Sequence, residues 1–161
     1  MLIFLLIFVC VISVQYIMKK NNLEHLESIE EAQAAVSPEQ LKLQTMLAIS
    51  EIVLQQFIEN IILNIEITPM DDKHNVTISL QATEFLHETT LLKDSYNLLN
   101  ELQHVEALND VTLKWFRPVQ NKNTEVFTLA FDAQTLQTIN EISYKDIPQA
   151  AKQYIKHAAL N

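Results

Sequence analysis

The chain has 161 residues, with 20 acidic against 11 basic side chains, a formal charge of −9 at pH 7, one cysteine and no glycine. This acidic balance, without a basic stripe interleaved with aromatic residues, excludes a phosphate backbone as partner, so no nucleic-acid binding is expected. Without glycine the chain cannot form a P-loop, a dinucleotide-binding turn or a G-x-S-x-G nucleophile elbow. A single cysteine permits neither an intrachain disulfide nor a zinc site made of thiolates.

An apolar segment opens the chain. Residues 1–18 carry no charged side chain, and as a helix they would span ~27 Å of a bilayer core of roughly 30 Å. Tyr16, Lys19 and Lys20 then have the composition of a membrane interface. The segment lacks the basic n-region and small-residue cleavage site of a signal peptide, the alternative interpretation, so a single-pass membrane anchor is predicted.

The orientation of that anchor follows from the charges beside it. Lys19 and Lys20 come directly after the apolar segment, and the positive-inside rule then predicts that the following domain is cytoplasmic. A periplasmic or extracellular domain is the alternative.

An acidic stretch, residues 19–36, follows, with apolar positions at Leu26, Ile29, Ala32 and Val36. We interpret it as a solvated helical stalk or linker. The next domain is predicted to span residues 37–161.

The first helix of that domain is marked by a start signal, with Ser37 as N-cap, Pro38 at N1 and Gln40 closing a capping box. It is predicted to run to about residue 60. Spacings of three and four create a mostly apolar stripe on it, made of Leu43, Leu47, Ser50, Leu54, Phe57 and Ile61. We expect the stripe to cover a sheet. The alternative is a self-association seam at Leu43, Leu47 and Leu54, making a homo-oligomer together with the stalk as a coiled coil.

Two hairpins and a second helix are predicted next. Residues 63–68 and 76–81 alternate apolar and polar side chains around a polar turn at residues 71–75, and residues 111–117 and 125–131 do the same around residues 120–123. Between the hairpins, residues 89–105 return to helical spacing. Asp132 is predicted to cap a short helix, and Asp146 with Pro148 to start a final helix through Tyr154 and Ile155.

The order helix, two strands, helix, two strands and closing helices predicts an α+β fold. Two helices on one face of a four-stranded antiparallel sheet would form a two-layer sandwich of ferredoxin-like character. With its anchor and stalk, this order resembles the small inner-membrane assembly-platform subunits of type IV pilus and type II secretion machines. The resemblance implies a head outside the cytoplasm, whereas Lys19 and Lys20 predict the opposite side.

Two groups of polar residues are candidates for chemistry. Asp71, Asp72 and His74 cluster in the first hairpin turn, but a metal site needs at least three ligands and supporting groups, so solvated turn residues are the favoured interpretation. His87 and Glu88 open the second helix, where a carboxylate interacts favourably with the helix N-terminus. No serine or cysteine near His87 is placed as a nucleophile, and His25, His104 and His157 are expected on the surface.

Trp115 and Arg117 share one face of the third strand. Trp115 is expected in the core, although on an open face this pair would have the composition of a binding hot spot. The sequence therefore predicts a protein without cofactor or metal that is not an enzyme: a membrane-anchored interaction or scaffold protein. An envelope assembly-platform subunit and a membrane-anchored hydrolase are the alternatives.

Overall fold

The computed structural model describes residues 37–83 and 85–160, and the residues from Pro38 onward form a compact unit. The predicted anchor (1–18) and stalk (19–36), with Tyr16, Lys19 and Lys20, lie outside the described residues. Among the helices that are described, none combines the length and the apolar character needed to cross a bilayer.

The elements alternate helix and hairpin. In chain order they are α1 (Pro38–Gln56), β1 (Ile62–Met70), β2 (Lys73–Gln81), α2 (Glu88–Leu102), β3 (Leu108–Val119), β4 (Lys122–Phe131), α3 (Ala133–Gln137), a 3-10 turn (Ile139–Glu141), α4 (Ile147–Ala150) and β5 (Gln153–Lys156). The predicted α+β class is confirmed.

The sheet is mixed, with five strands in the order β1-β2-β3-β4-β5. Each hairpin is antiparallel, but β2 and β3 pair in parallel, so the expected antiparallel sheet is wrong at this boundary. The cause is the connection through α2, which returns the chain to the end of the sheet where β2 began. A ferredoxin-like unit places another strand between the two strands that such a helix connects, whereas here they are direct neighbours.

Both long helices contribute to one core on one face of the sheet. Alternate residues of β2 are buried, and the side chains between them are half-buried and mostly polar. From α1, Ile49 and Val53 are fully buried, and α2 contributes Leu91, Leu98 and Leu99. The two-layer arrangement is thus built from period two in the strands and spacings of three and four in the helices.

The C-terminal segment differs from the prediction. Helix α4 ends at Ala150, and Tyr154 and Ile155 lie in strand β5, paired with Leu129 and Thr128 of β4. The predicted final helix through these two residues is therefore wrong. Their β-sheet pairing also lets the Tyr154 ring pack edge-on against Phe127, with 5.6 Å between centroids.

Tight turns are made without glycine. The hairpin turns are shorter than predicted, because β2 begins at Lys73 and β4 at Lys122. Positive φ falls on Asp71 (53°) in the first turn and on Gln120 (50°) and Asn121 (63°) in the second. Two successive positive φ angles are the geometry of a type I′ turn, in which asparagine and glycine are favoured and glutamine is strained.

We predict that replacing Gln120 by Asn and Asn121 by Gly stabilises the fold. The new pair takes positive φ at lower cost, and we expect the free energy of unfolding to rise by about 0.5–2 kcal/mol. Urea unfolding of a fragment spanning residues 37–161 measures it. As a control, the same Asn-Gly pair at Lys122 and Asn123, inside β4, should destabilise. A loss of stability in the turn variant would contradict the assigned turn.

Candidate docking surface

Helix α1 carries apolar side chains on two sides, about 120° apart around its axis. Ile49 and Val53 are buried against the sheet. On the other side, Leu43, Leu47 and Leu54 are 56%, 59% and 52% exposed. At 100° per residue these three leucines fall within about 40° of one another around the helix. We call Leu43, Leu47 and Leu54 the outer stripe.

The outer stripe corrects the expectation that these leucines cover the sheet. The core side of α1 is instead set by Thr45, Ile49 and Val53, spaced by four. Phe57 and Ile61, predicted on the same stripe, do pack against the core. The reason is that α1 ends at Gln56, so residues beyond it no longer follow the direction set by helical spacing. Sequence reasoning missed Ile49 and Val53, a β-branched pair one turn apart.

The surroundings of the outer stripe are polar. Glu39 and Glu51 are the exposed carboxylates beside it, together with the carboxamides of Gln40, Gln44 and Gln55. The carboxylate of Glu51 accepts a hydrogen bond from Gln55 Nε2 at 3.1 Å. Ile58, just beyond the helix, is fully exposed.

His74 is separated from the aspartates that precede it. Its ring is 2% exposed, and Nδ1 lies 3.2 Å from Thr45 Oγ1 on α1. The Thr45 hydroxyl also donates to the Leu41 carbonyl at 2.8 Å, so it links the His74 ring to the backbone of α1. Asp71 and Asp72 are exposed at the turn. Within residues 37–83 and 85–160, no three His, Cys, Asp or Glu side chains are grouped to hold a metal ion.

Trp115 belongs to the core. Its side chain is 1% exposed, and its indole N–H donates to Ser95 Oγ at 2.9 Å. The Phe57 ring meets it edge-on at 6.0 Å. Arg117 donates to the carbonyls of Leu86 and Ala159, tying β3 to the C-terminal segment. The core interpretation of Trp115 is therefore correct, and this side chain does not lie on an open face, whereas Arg117 is half-buried and its part in binding a partner stays a prediction.

Glu88 joins the start of α2 to β5. Its carboxylate accepts hydrogen bonds from the Tyr154 hydroxyl and, at 2.7 Å, from Lys156 Nζ. The bonds from Lys156 and Tyr154 hold the pKa of Glu88 below its ordinary value. Burial and the adjacent carboxylate raise the pKa of Tyr154. The cluster is satisfied by its own members, which is the arrangement of a structural clamp.

The remaining histidines lie outside this clamp. His87 occupies the N-cap of α2 without a capping bond from its side chain. His104 and His157 are exposed, as expected, and His25 is outside the described residues.

An open cleft of about 380 Å³ lies between α1 and α2. Its lining is rich in carboxamides and consists of Ile52, Gln55, Gln56, Asn97, Asn100 and Glu101. Gln56 Nε2 crosses from α1 to donate to the Asp94 carbonyl of α2 at 3.0 Å. The lining offers neither a nucleophile with a base nor a cation for an anionic substrate, so it has no arrangement for chemistry.

No protein-family model matches this sequence, and no curated protein or solved structure is detectably similar to it.

We predict that Glu88→Gln reduces the loss of stability in acid. Because its pKa is lowered in the folded state, Glu88 adds stability above its unfolded pKa of about 4.3, and this is lost as pH falls through the folded value. A partly exposed pair contributes roughly 0.2–1 kcal/mol, so the difference in melting temperature between pH 7 and pH 3 should shrink by about 1–4 °C.

Melting of the fragment 37–161 followed by circular dichroism across this pH range is the measurement. Glu106→Gln, which removes one exposed carboxylate outside the clamp, is the matched control. An equal change in both variants would show that the clamp adds nothing specific to stability in acid.

Proposed function

We propose that this protein is a non-catalytic, single-pass membrane protein whose small α+β head docks a protein partner. The observation that carries the proposal is the outer stripe: three leucines, each more than half exposed, on a side of α1 that does not face the core. A helix that is apolar on two sides buries one against its own domain and leaves the other available for association.

The position of α1 in the chain supports a tethered scaffold. It follows the apolar segment 1–18 and the acidic segment 19–36, so a docking helix close to the predicted bilayer would present partners at the membrane surface. The two adjacent lysines favour a cytoplasmic head.

The chemistry of the head supports a binding role over catalysis. His74 is engaged with Thr45 inside the domain, and Glu88 is engaged with Tyr154 and Lys156. These polar groups hold elements together, whereas a catalytic base needs access to the proton it removes.

We predict that the full-length protein stays in the membrane fraction after a carbonate wash at high pH. Residues 1–18 are long and apolar enough for stable insertion, and a variant lacking residues 1–20 should be released quantitatively. Immunoblotting of pellet and supernatant is the measurement. A mature form that begins near residue 20 and appears in the supernatant would replace the anchor with a cleaved signal peptide.

We also predict that the head is shielded from outside the cell. In a Cys10→Ser background, Lys122→Cys places one exposed thiol at the start of β4. Position 122 is chosen because the residue before it, Asn121, has a positive φ that would strain a cysteine. A membrane-impermeant maleimide should label it only after the cells are opened. Moving Lys19 and Lys20 ahead of the apolar segment should invert this result. Prompt labelling in intact cells with the lysines in place would favour the envelope assembly-platform function.

A further inference from the structure

We propose that the occupant of the outer stripe is a second copy of this chain, with the two α1 helices packed in parallel. The inference deepens the proposed function, and its parallel arrangement rests on the membrane anchor. The contact is made by Leu43, Leu47 and Leu54 of each copy, with Ser50 between them.

The spacing of the stripe is that of a coiled-coil seam. Leu43, Leu47, Ser50 and Leu54 follow one another at steps of four, three and four, the alternation that keeps one side of two helices in contact. Such a seam is self-complementary in a parallel pair, since each leucine faces the same leucine of the other copy. Ser50 is small and donates its hydroxyl to the Met46 carbonyl at 2.8 Å, so it adds no unsatisfied polar group to the contact.

In the sequence, residues before α1 repeat the alternation of three and four, counted backward from Leu43 through Gln40, Val36, Gln33, Ile29 and Leu26. The two glutamines are polar seam positions, of the kind that specify register in coiled coils at a cost in stability. The start signal at Ser37 and Pro38 separates that stretch from α1, because a proline inside a helix interrupts its backbone hydrogen bonds. The segment that joins the predicted anchor to the head thus has coiled-coil spacing of its own in the sequence, with a more polar seam.

Charge favours this face for contact between identical copies. The chain carries a net charge of −9, so two copies repel each other over most of their surfaces. The outer stripe is flanked by Gln40, Gln44 and Gln55 and by the exposed carboxylates of Glu39 and Glu51, of which Glu51 is bonded along its own helix. A pair that meets there brings two carboxylates of each copy near the seam, which is a small part of the 20 acidic side chains of the chain.

The anchor supplies direction and concentration. Two chains inserted in one membrane with the same orientation leave it on the same side, so their α1 helices meet with their N-termini aligned. Tethering also raises the effective concentration of one head near another, so a short seam is enough.

Cysteine crosslinking of the full-length protein in lipid nanodiscs tests the proposal. In a Cys10→Ser background, Leu43→Cys and Leu54→Cys should each form a disulfide-linked dimer under mild oxidation, because equal positions face each other in a parallel seam. Lys42→Cys is the matched control: it is also exposed, but it lies ~100° around the helix from Leu43 and should stay largely monomeric on a non-reducing gel.

A second variant separates association from folding. Replacing all three leucines of the outer stripe by glutamine should halve the protein mass measured by light scattering in detergent. The melting temperature of this variant should equal that of the wild-type monomer, because these side chains are exposed in one copy.

Three results would overturn the proposal. One is a wild-type chain that is monomeric, which means that another protein or its own residues 19–36 cover the outer stripe. Another is crosslinking of a mixture of Leu43→Cys and Leu54→Cys chains when neither crosslinks alone, which indicates antiparallel helices. The third is equal crosslinking at Lys42. The carbonate wash is independent of all three: a membrane-retained monomer would reject the dimer and leave the anchored function standing.

Discussion

The two hairpins are joined into one sheet through the ladder between β2 and β3. Its register runs from His74 opposite Leu108 to Gln81 opposite Phe116. Backbone bonds of 2.7 Å from His74 N–H to the Ala107 carbonyl and from Ala82 N–H to the Phe116 carbonyl close its two ends. Because this pairing sets both hairpins side by side, it creates the broad face on which α1 and α2 pack. The outer side of α1, and hence the docking surface, takes its orientation from that packing.

The sequence was sufficient for what depends on local periodicity. Alternation along residues 76–81 and 125–131 predicted strands that the structure contains, and Ser37 with Pro38 predicted the start of α1 to within a residue. The same alternation is compatible with parallel and antiparallel neighbours, so it could not decide how β2 meets β3. Tyr154 and Ile155 were misplaced because a short segment beside a proline carries too few residues to separate period two from helical spacing.

The leucines of the outer stripe were singled out in the sequence, but their exposure was not the expected outcome. Leu43, Leu47 and Leu54 were identified from their spacing, and self-association was the weaker of two interpretations because a helix beside a sheet must cover it. The side of α1 that covers the sheet is made by Thr45, Ile49 and Val53. Because threonine is not an apolar residue, the spacing of apolar residues did not reveal this side. Thr45 is there because it binds His74 across the domain, a long-range contact that no local pattern reveals. Trp115 is a different case. A large aromatic side chain is common both in cores and in interfaces, and only its burial in the structure decides between them.

Edge strands carry a consequence for misassembly. Among the residues that the structure describes, strand β1 ends the sheet on one side, and such an edge, nine residues long, is a template for unwanted strand addition, as in amyloid. Here the edge is interrupted by an irregularity between Ile62 and Asn64, carries the exposed charge of Glu66, and has at Pro69 a residue without an N–H to donate. At the opposite edge β5 has four residues. Growth of the sheet from chain to chain is thereby discouraged at both edges, even where copies of the protein are crowded.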